Sequence, residues 1–444
     1  TLTRSELDDL IAQCALGPVP WLDESAHRTA FPRLRGWGGL GWCRHALPIG
    51  SAVRDMRMTL GRRSTPSSIG LMRRPGIQPP RWAAQLIARA AGRLSRALGR
   101  GGGTTVPGVV MLGLRPRAAE ELRARLTRGS IVISATNGKT TTARLVDAAA
   151  TGAGWSTIAN TAGSNLLSGV TAALLDGRDD TRLGVFEVDE AALPAVVDQV
   201  RPHVVVLMNL FRDQLDRYGE LETLVARWRD MVDELGPGTT LVLNADDPAV
   251  AFLGHDRPDT VYFGLDVPQL GRETLAHAAD STRCPRCNEA LDYELIAIGH
   301  MGHWRCPACG LGRPRPAVLA TNVTLDRLDG FTLDVATPRG NLSATVALPG
   351  LHNAYNACAA VASAQALDLP DEAIVDALAT TQAAFGRGER IVIDDRELLL
   401  LLAKNPAGAN ENVRAALLAE GDLHVMVFLN DRTADGQDVS WSWD

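Results

Sequence analysis

No stretch of this chain approaches the ~20 consecutive apolar residues that cross a bilayer. The longest, Val204–Leu207 with its neighbours, has the length of a strand. No leader with a basic start, an apolar middle and a small-residue cleavage site is evident. A basic charge excess is missing too. The formal net charge is −6, so nothing in the overall balance argues for nucleic acid. The seven cysteines are not an even set, which argues against a secreted disulfide framework and for a reducing cytoplasm. The rest is ordinary for a globular protein, 45% hydrophobic and 22% charged over 444 residues. That is room for about two or three domains with a sizeable core.

The segment that says most is Ser134-Ala135-Thr136-Asn137-Gly138-Lys139-Thr140-Thr141-Thr142. The β-branched run Ile131-Val132-Ile133 precedes it, and a helical pattern over residues 143–150 follows. Strand, Gly-Lys-Thr turn and helix in that order make a phosphate cradle. N–H groups at the helix start point at the anion, and the helix dipole favours negative charge there. Lys139 then reaches the terminal phosphates, and the Thr140 or Thr141 hydroxyl holds Mg²⁺. The strict pattern has Gly five positions before Gly138, where this chain has Ile133. A bland strand–turn–helix carries the same letters.

Residues 1–80 are rich in Arg, Pro and Gly with weak periodicity, and read as a disordered or non-native extension. Residues 81–103 read as a basic helix and a Gly linker. Trp82, Leu86, Ala90, Leu94 and Leu98 recur every four residues, with Arg89, Arg93, Arg96 and Arg100 elsewhere around it. Such a helix either lies on an anionic membrane surface or docks on its own domain. Residues 104–383 alternate between strands and helices. Residues 185–188, Val204–Leu207 and Thr240–Asn244 suit buried parallel strands, and residues 357–366 an Ala-rich helix. This predicts an α/β fold with helices on both faces of a mostly parallel sheet. Its chemistry belongs at the C-terminal strand ends, where Glu187, Asn209, Asp213 and Asn244 fall. The chain's last residues, Trp441-Ser442-Trp443-Asp444, alternate like a strand cut short, so residues 384–444 read as a truncated C-terminal domain.

Four cysteines form two C-x-x-C pairs, Cys284/Cys287 and Cys306/Cys309, with 18 residues between. This spacing suits four thiolates around Zn²⁺ in a ribbon inserted at about residues 280–313. A closed four-sulfur shell leaves no position for water, so the role is structural. His300 and His303 lie nearby but are not needed. A redox pair, an iron–sulfur site and a nucleic-acid-binding ribbon are the alternatives.

The order of motifs resembles the Mur ligase family. Its phosphate loop corresponds to residues 135–141 here, with Ala135 at the family's first Gly. Its magnesium-binding Glu corresponds to Glu187. Its N-x-x-x-D-H-L-D segment corresponds to residues 209–216, with Gln214 in place of His. Asn244-Ala245-Asp246-Asp247-Pro248, Gly350-Leu351-His352-Asn353-Ala354-Tyr355-Asn356-Ala357 and Gly386-Arg387-Gly388-Glu389 follow in family order. The ribbon and the tail segments Leu402-Ala403-Lys404-Asn405-Pro406 and residues 429–441 narrow the likeness to the amidating branch of that family.

The resemblance implies a Mur-ligase-like ATP-binding domain and an acyl-phosphate mechanism. The carboxylate is the α-carboxyl of D-glutamate in the lipid II stem peptide. A GatD-type glutaminase subunit, forming a heterodimer, supplies ammonia at the inner face of the membrane. The cofactors implied are ATP, Mg²⁺ and Zn²⁺. By resemblance, Thr136, Asn137, Gly138, Lys139, Thr140, Thr141, Asn209, His352, Asn353, Asn356 and Arg387 hold the nucleotide. Thr140 and Glu187 hold Mg²⁺, and Lys139 and Glu187 act in catalysis. Asp435, or else Asp431 or Asp438, meets the glutaminase's histidine. The rivals are a folylpolyglutamate-type ligase of the same fold, a zinc-ribbon nucleic-acid-binding ATPase, and an inactive fragment.

Overall fold

Runs of β-branched and aliphatic residues set the sheet. Ile131-Val132-Ile133 and Val204–Leu207 offer nothing polar to turn toward water, so they suit strands covered on both faces. The computed structural model describes residues 78–97, 104–160, 163–178, 180–212, 221–272, 274–275, 279–383, 387–393, 396–418 and 424–427. The expectations for residues 1–77, for Asp213, Gln214 and Asp216, and for Asp431, Asp435, Asp438 and the last four residues lie outside these.

The first half carries β1 (Ser130–Ser134), β2 (Thr157–Ala159), β3 (Leu183–Val188), β4 (Val204–Leu207), β5 (Thr240–Asn244) and β6 (Val261–Leu265). Then come β7 (Asp292–Ile298), β8 (Met301–Arg305), β9 (Val318–Asp326), β10 (Gly330–Thr337) and β11 (Gly340–Val346), and finally β12 (Arg387–Ile393) and β13 (Arg396–Leu401). The helices are α1 (Arg81–Ala97), α2 (Val106–Leu114), α3 (Ala118–Arg123), α4 (Lys139–Gly152), α5 (Leu167–Asp176) and α6 (Leu193–Val200). They continue with α7 (Leu221–Asp233), α8 (Pro248–Leu253), α9 (Leu351–Ala366), α10 (Asp371–Thr380) and α11 (Pro406–Leu417).

One nine-stranded sheet runs in the order β11-β10-β9-β6-β5-β4-β1-β3-β2. Every pairing from β2 to β9 is parallel. The meander β9-β10-β11 adds antiparallel strands at one edge. Side chains alternate across β1, so Ile131 and Ile133 join one core with α4, α9 and α10. Val132 joins a second core on the opposite face with α1, α2, α3 and α5–α8. The predicted mostly parallel α/β sheet is therefore present. β7 and β8 form a separate two-stranded sheet between β6 and β9, and β12 and β13 a hairpin before α11.

Three local expectations change. α4 begins at Lys139, not at residue 143, and α9 begins at Leu351, not at residue 357. In both, a Gly with positive φ ends the preceding loop, at 95° for Gly138 and 89° for Gly350, so the polar residues after it are already helical. The third change concerns α1, which does dock on its own domain, but through Ala84, Ala88 and Gly92. A Cβ on Gly92 would lie 2.6 Å from Pro107 of α2. Small residues let the two helices approach closely, and the expected stripe of Trp82, Leu86 and Leu94 turns outward instead.

Candidate functional site

The loop after β1 leads into α4 at the C-terminal edge of the sheet. Ser134 donates from its hydroxyl to the carbonyl of Val188, at the end of neighbouring β3 (2.9 Å). The loop is then held from the β4 side. The Thr136 N–H donates to the Asn209 carbonyl (3.1 Å). The Asn137 N–H donates to Asn209 Oδ1, and Asn209 Nδ2 donates back to the Asn137 carbonyl, both at 2.9 Å. The Asn137 side chain meets Asn405, the N-cap of α11, in a reciprocal pair of amide hydrogen bonds, each 3.2 Å. Asn405 Oδ1 also accepts from the Gly408 N–H at 2.9 Å.

Gly138 has to be glycine. Its φ is 95°, and a Cβ there would lie 2.0 Å from Asn356 Oδ1. Ala135, at the family's first Gly, is buried and is not among the described residues with positive φ, so its methyl strains nothing. The first helical bond of α4 runs from the Thr142 N–H to the Gly138 carbonyl (3.0 Å). The N–H groups of the preceding turn have no partner within the helix, which is the donor set an anion needs.

Lys139 Nζ donates to the Ala135 carbonyl (2.8 Å) and lies 3.3 Å from Glu190 Oε2, in a buried ion pair. Glu187 is buried at the end of β3, its backbone clamped on both sides by Asn160. Its Oε2 has no hydrogen-bond partner. A buried carboxylate oxygen left alone is costly, and a cation relieves that cost. Thr140 and Thr141 are buried in the first turn of α4.

The loop opens on a cleft whose enclosed space is about 110 Å³. Thr136, Asn137, Gly138, Lys139, Thr141, Asn209, His352, Asn353 and Asn356 all line it, so most of the residues carried over by resemblance meet there. Thr140 and Glu187 do not line it. Arg387 begins β12, and its side chain lies outside the described set. Asn353 Nδ2 donates to the Pro349 carbonyl (2.7 Å), and Asn356 Nδ2 to Asn353 Oδ1 (2.8 Å). Burial pushes the His352 imidazole down to about 4, which keeps it neutral at pH 7.

The same cleft holds residues that spacing did not reveal: Phe211, Met301, Tyr355, Lys404 and Glu411. Glu411 on α11 is buried, its Oε2 has no hydrogen-bond partner, and burial raises its pKa.

The four cysteines converge. Their sulfurs all lie within 4.8 Å of one another, with Cys284···Cys309 at 3.6 Å and Cys287···Cys306 at 3.5 Å. Thiolates about 2.3 Å from a tetrahedral zinc are ~3.8 Å apart, so the cluster is compatible with that ion. Neither histidine joins it. His303 Nε2 lies 3.0 Å from the Leu265 carbonyl, and the buried His300 Nε2 lies 3.2 Å from Asp247 Oδ2.

The turn after β5 anchors this ribbon. Asn244 Oδ1 accepts from the Asp246 N–H (3.0 Å), and Asp247 caps α8 through the Ala249 and Val250 N–H groups. Asp246 accepts from Arg313 Nε (2.6 Å) and from the Tyr355 hydroxyl (2.7 Å), and the Trp304 indole donates to the Ala245 carbonyl (3.0 Å). Asn244 and the two aspartates are thus structural in this arrangement, and they join the ribbon to the wall of the cleft.

Comparison with known proteins agrees with this geometry. Residues 133–284 match the Mur ligase middle domain, and residues 402–444 match the MurT ligase C-terminal family. The chain is 31% identical over 366 residues to the MurT subunit of lipid II isoglutaminyl synthase (glutamine-hydrolyzing) of Staphylococcus aureus strain N315, covering 82% of this chain and 80% of that one. The counterpart from Streptococcus pneumoniae R6 is 33% identical over 366 residues, covering 81% and 79%. Among solved structures, a pseudomurein peptide ligase type C from Methanothermus fervidus superposes with a TM-score of 0.55 at 27% identity; the match covers 66% of this chain and 57% of that one. MurF from Acinetobacter baumannii shares the fold, with a TM-score of 0.53 at 20% identity, covering 70% and 58%. Identity above 30%, sustained over about four-fifths of both chains, means that this chain belongs to the MurT family of Mur ligases.

Proposed function

We propose that the chain uses ATP to amidate the α-carboxyl of D-glutamate in the lipid II stem peptide, giving D-isoglutamine. Ammonia comes from a GatD-type glutaminase subunit bound as a heterodimer. The observation that carries the reading is the Gly138–Lys139 cradle after β1 together with Glu187 on the neighbouring β3, whose Oε2 has no hydrogen-bond partner, in a chain of the MurT family.

A carboxylate is a poor electrophile. Its oxygen attacks the γ-phosphorus of ATP, ADP leaves, and an acyl phosphate results. Ammonia then adds to the acyl carbon, phosphate leaves with the bonding pair, and one proton is lost. The N–H groups at the start of α4 hold the phosphates. Lys139 exchanges Glu190 for the γ-phosphate as charge builds there. Thr140 and Glu187 would hold Mg²⁺, which when bound neutralises the phosphate charge. His352, Asn353, Asn356 and Arg387 flank the rest of the nucleotide. His352, neutral at working pH, adds no charge to the cleft. Cys284, Cys287, Cys306 and Cys309 would hold Zn²⁺ in a structural site.

Ammonium is the prevailing form in neutral water, so ammonia delivered from a bound glutaminase avoids its deprotonation. Asp435 is our candidate for orienting that subunit's histidine, with Asp431 and Asp438 as alternatives.

The test is mass spectrometry of lipid II after incubation with the chain, ATP, Mg²⁺ and ammonium, with and without the glutaminase and glutamine. Conversion of acid to amide supports the ligase reading, and glutamine use only with the partner supports the two-subunit reading. ATP bound without any conversion would overturn this choice of carboxylate.

A further inference from the structure

α1 presents to solvent the side chains that a docked helix normally buries. Its seam against the body is Ala84, Ala88 and Gly92. Its large apolar residues are outside: Trp82 is 66% exposed, Leu86 60% and Leu94 61%. At 100° per residue, Trp82, Leu86, Ala90 and Leu94 succeed one another around a single sector opposite that seam. Ile87 extends the sector, and Val109 on the adjoining α2 is 58% exposed. An exposed apolar face of this kind marks an interaction surface.

The charges select the occupant. α1 carries Arg81, Arg89, Arg93 and Arg96 and no acidic residue, in a chain whose net charge is −6. Arg81 and Arg89 donate to the backbone carbonyls of Glu121 and Leu175 rather than to carboxylates. Among the described residues, Arg93 and Arg96 have neither a hydrogen-bond nor an ion-pair partner. Arg93 projects within the apolar sector and Arg96 at its flank. A second copy meeting this face would set these cations against one another. An anionic bilayer satisfies both features, with acyl chains for Trp82, Leu86 and Leu94 and lipid phosphates for the guanidinium groups. No described helix is long and apolar enough to cross a membrane, so the fit is to a helix lying flat.

We propose that α1, with Val109, is an in-plane docking surface for an anionic membrane. The proposal goes beyond the amidation reading and does not depend on it, since it concerns the bilayer and not the carboxylate.

The test uses the full chain with vesicles of phosphatidylcholine alone or mixed with equal phosphatidylglycerol. The expected result is retention on the anionic vesicles only. Brominated acyl chains should quench tryptophan fluorescence, and Trp82→Phe should remove that quenching. Arg93→Glu with Arg96→Glu, and separately Leu86→Gln with Leu94→Gln, should each lower the partition coefficient at least about tenfold, with ATP affinity unchanged as the check on folding. No retention, retention that survives both double variants, or quenching that persists in Trp82→Phe would each overturn the proposal. So would a dimer that Leu86→Gln with Leu94→Gln dissociates. Vesicle binding without amidation would uphold it while refuting the other reading.

Discussion

Gly138→Ala perturbs the phosphate loop where its geometry is tightest. At φ 95°, an L residue costs about 1–2 kcal/mol more than glycine. The new methyl would sit 2.0 Å from Asn356 Oδ1, so Asn356 must move. It then loses the bond it donates to Asn353, worth about 1 kcal/mol. Together some 2–3 kcal/mol oppose the loop shape that presents the α4 N–H groups, equivalent to ATP binding about 30- to 150-fold weaker. Isothermal titration with a non-hydrolysable ATP analogue measures this. Ala135→Gly is the counter-variant. It restores the family residue where φ is already ordinary, so it gains no affinity and can only loosen the loop. Gly138→Ala binding within about threefold of the parent, or Ala135→Gly binding more tightly, would refute the reasoning.

Other perturbations separate the remaining parts. Glu187→Gln keeps the volume and removes the charge; Mg²⁺ should then no longer raise nucleotide affinity, and turnover should fall by about 100-fold or more, whereas an intact Mg²⁺ dependence would remove Glu187 from that role. Cys284→Ser should lower zinc content and thermal stability, and weaken ATP binding as well, because Trp304, Arg313 and His300 join the ribbon to the turn beside the cleft; unchanged metal content would dismiss the site. The His352 pKa lies below its unfolded value of 6.5, so the unfolded chain takes up the proton first. Stability should therefore be full above about 6.5 and decline as the pH falls toward about 4; urea midpoints across that range should flatten in His352→Gln. Asp435→Asn should abolish amidation driven by glutamine and spare amidation driven by ammonium, and loss of both would exclude its proposed contact.

What could be read from the sequence was what is local. Val204–Leu207 and Thr240–Asn244 are strands with the bounds their apolar runs suggest. Each C-x-x-C turn is local and legible as such, but the short contacts Cys284···Cys309 and Cys287···Cys306 run between the two turns, which the β7–β8 hairpin brings together. Gly-Lys-Thr after Ile131-Val132-Ile133 leads, as its pattern implies, from strand to helix. Contacts between distant segments left no such trace. Lys139 finds Glu190 only because β1 and β3 are neighbours in the sheet, and nothing in the spacing of Asp247 and His300 announces that they meet across the base of the ribbon. α1 shows the limit of periodicity itself. Its sequence holds two stripes, one of small and one of large residues, and close approach to Pro107 favours the small one, where counting apolar side chains favours the other.

The Asn137–Asn405 bridge joins two uncharged groups that do not titrate. Rising ionic strength weakens the attraction of Lys139 for phosphate but has no charge to screen in this bridge. The salt dependence of nucleotide affinity therefore reports the charged groups of the cleft, Lys139, Lys404 and Glu411 among them, and not this bridge. A change of slope in Asn405→Ala would then report how far the bridge sets the position of those charges.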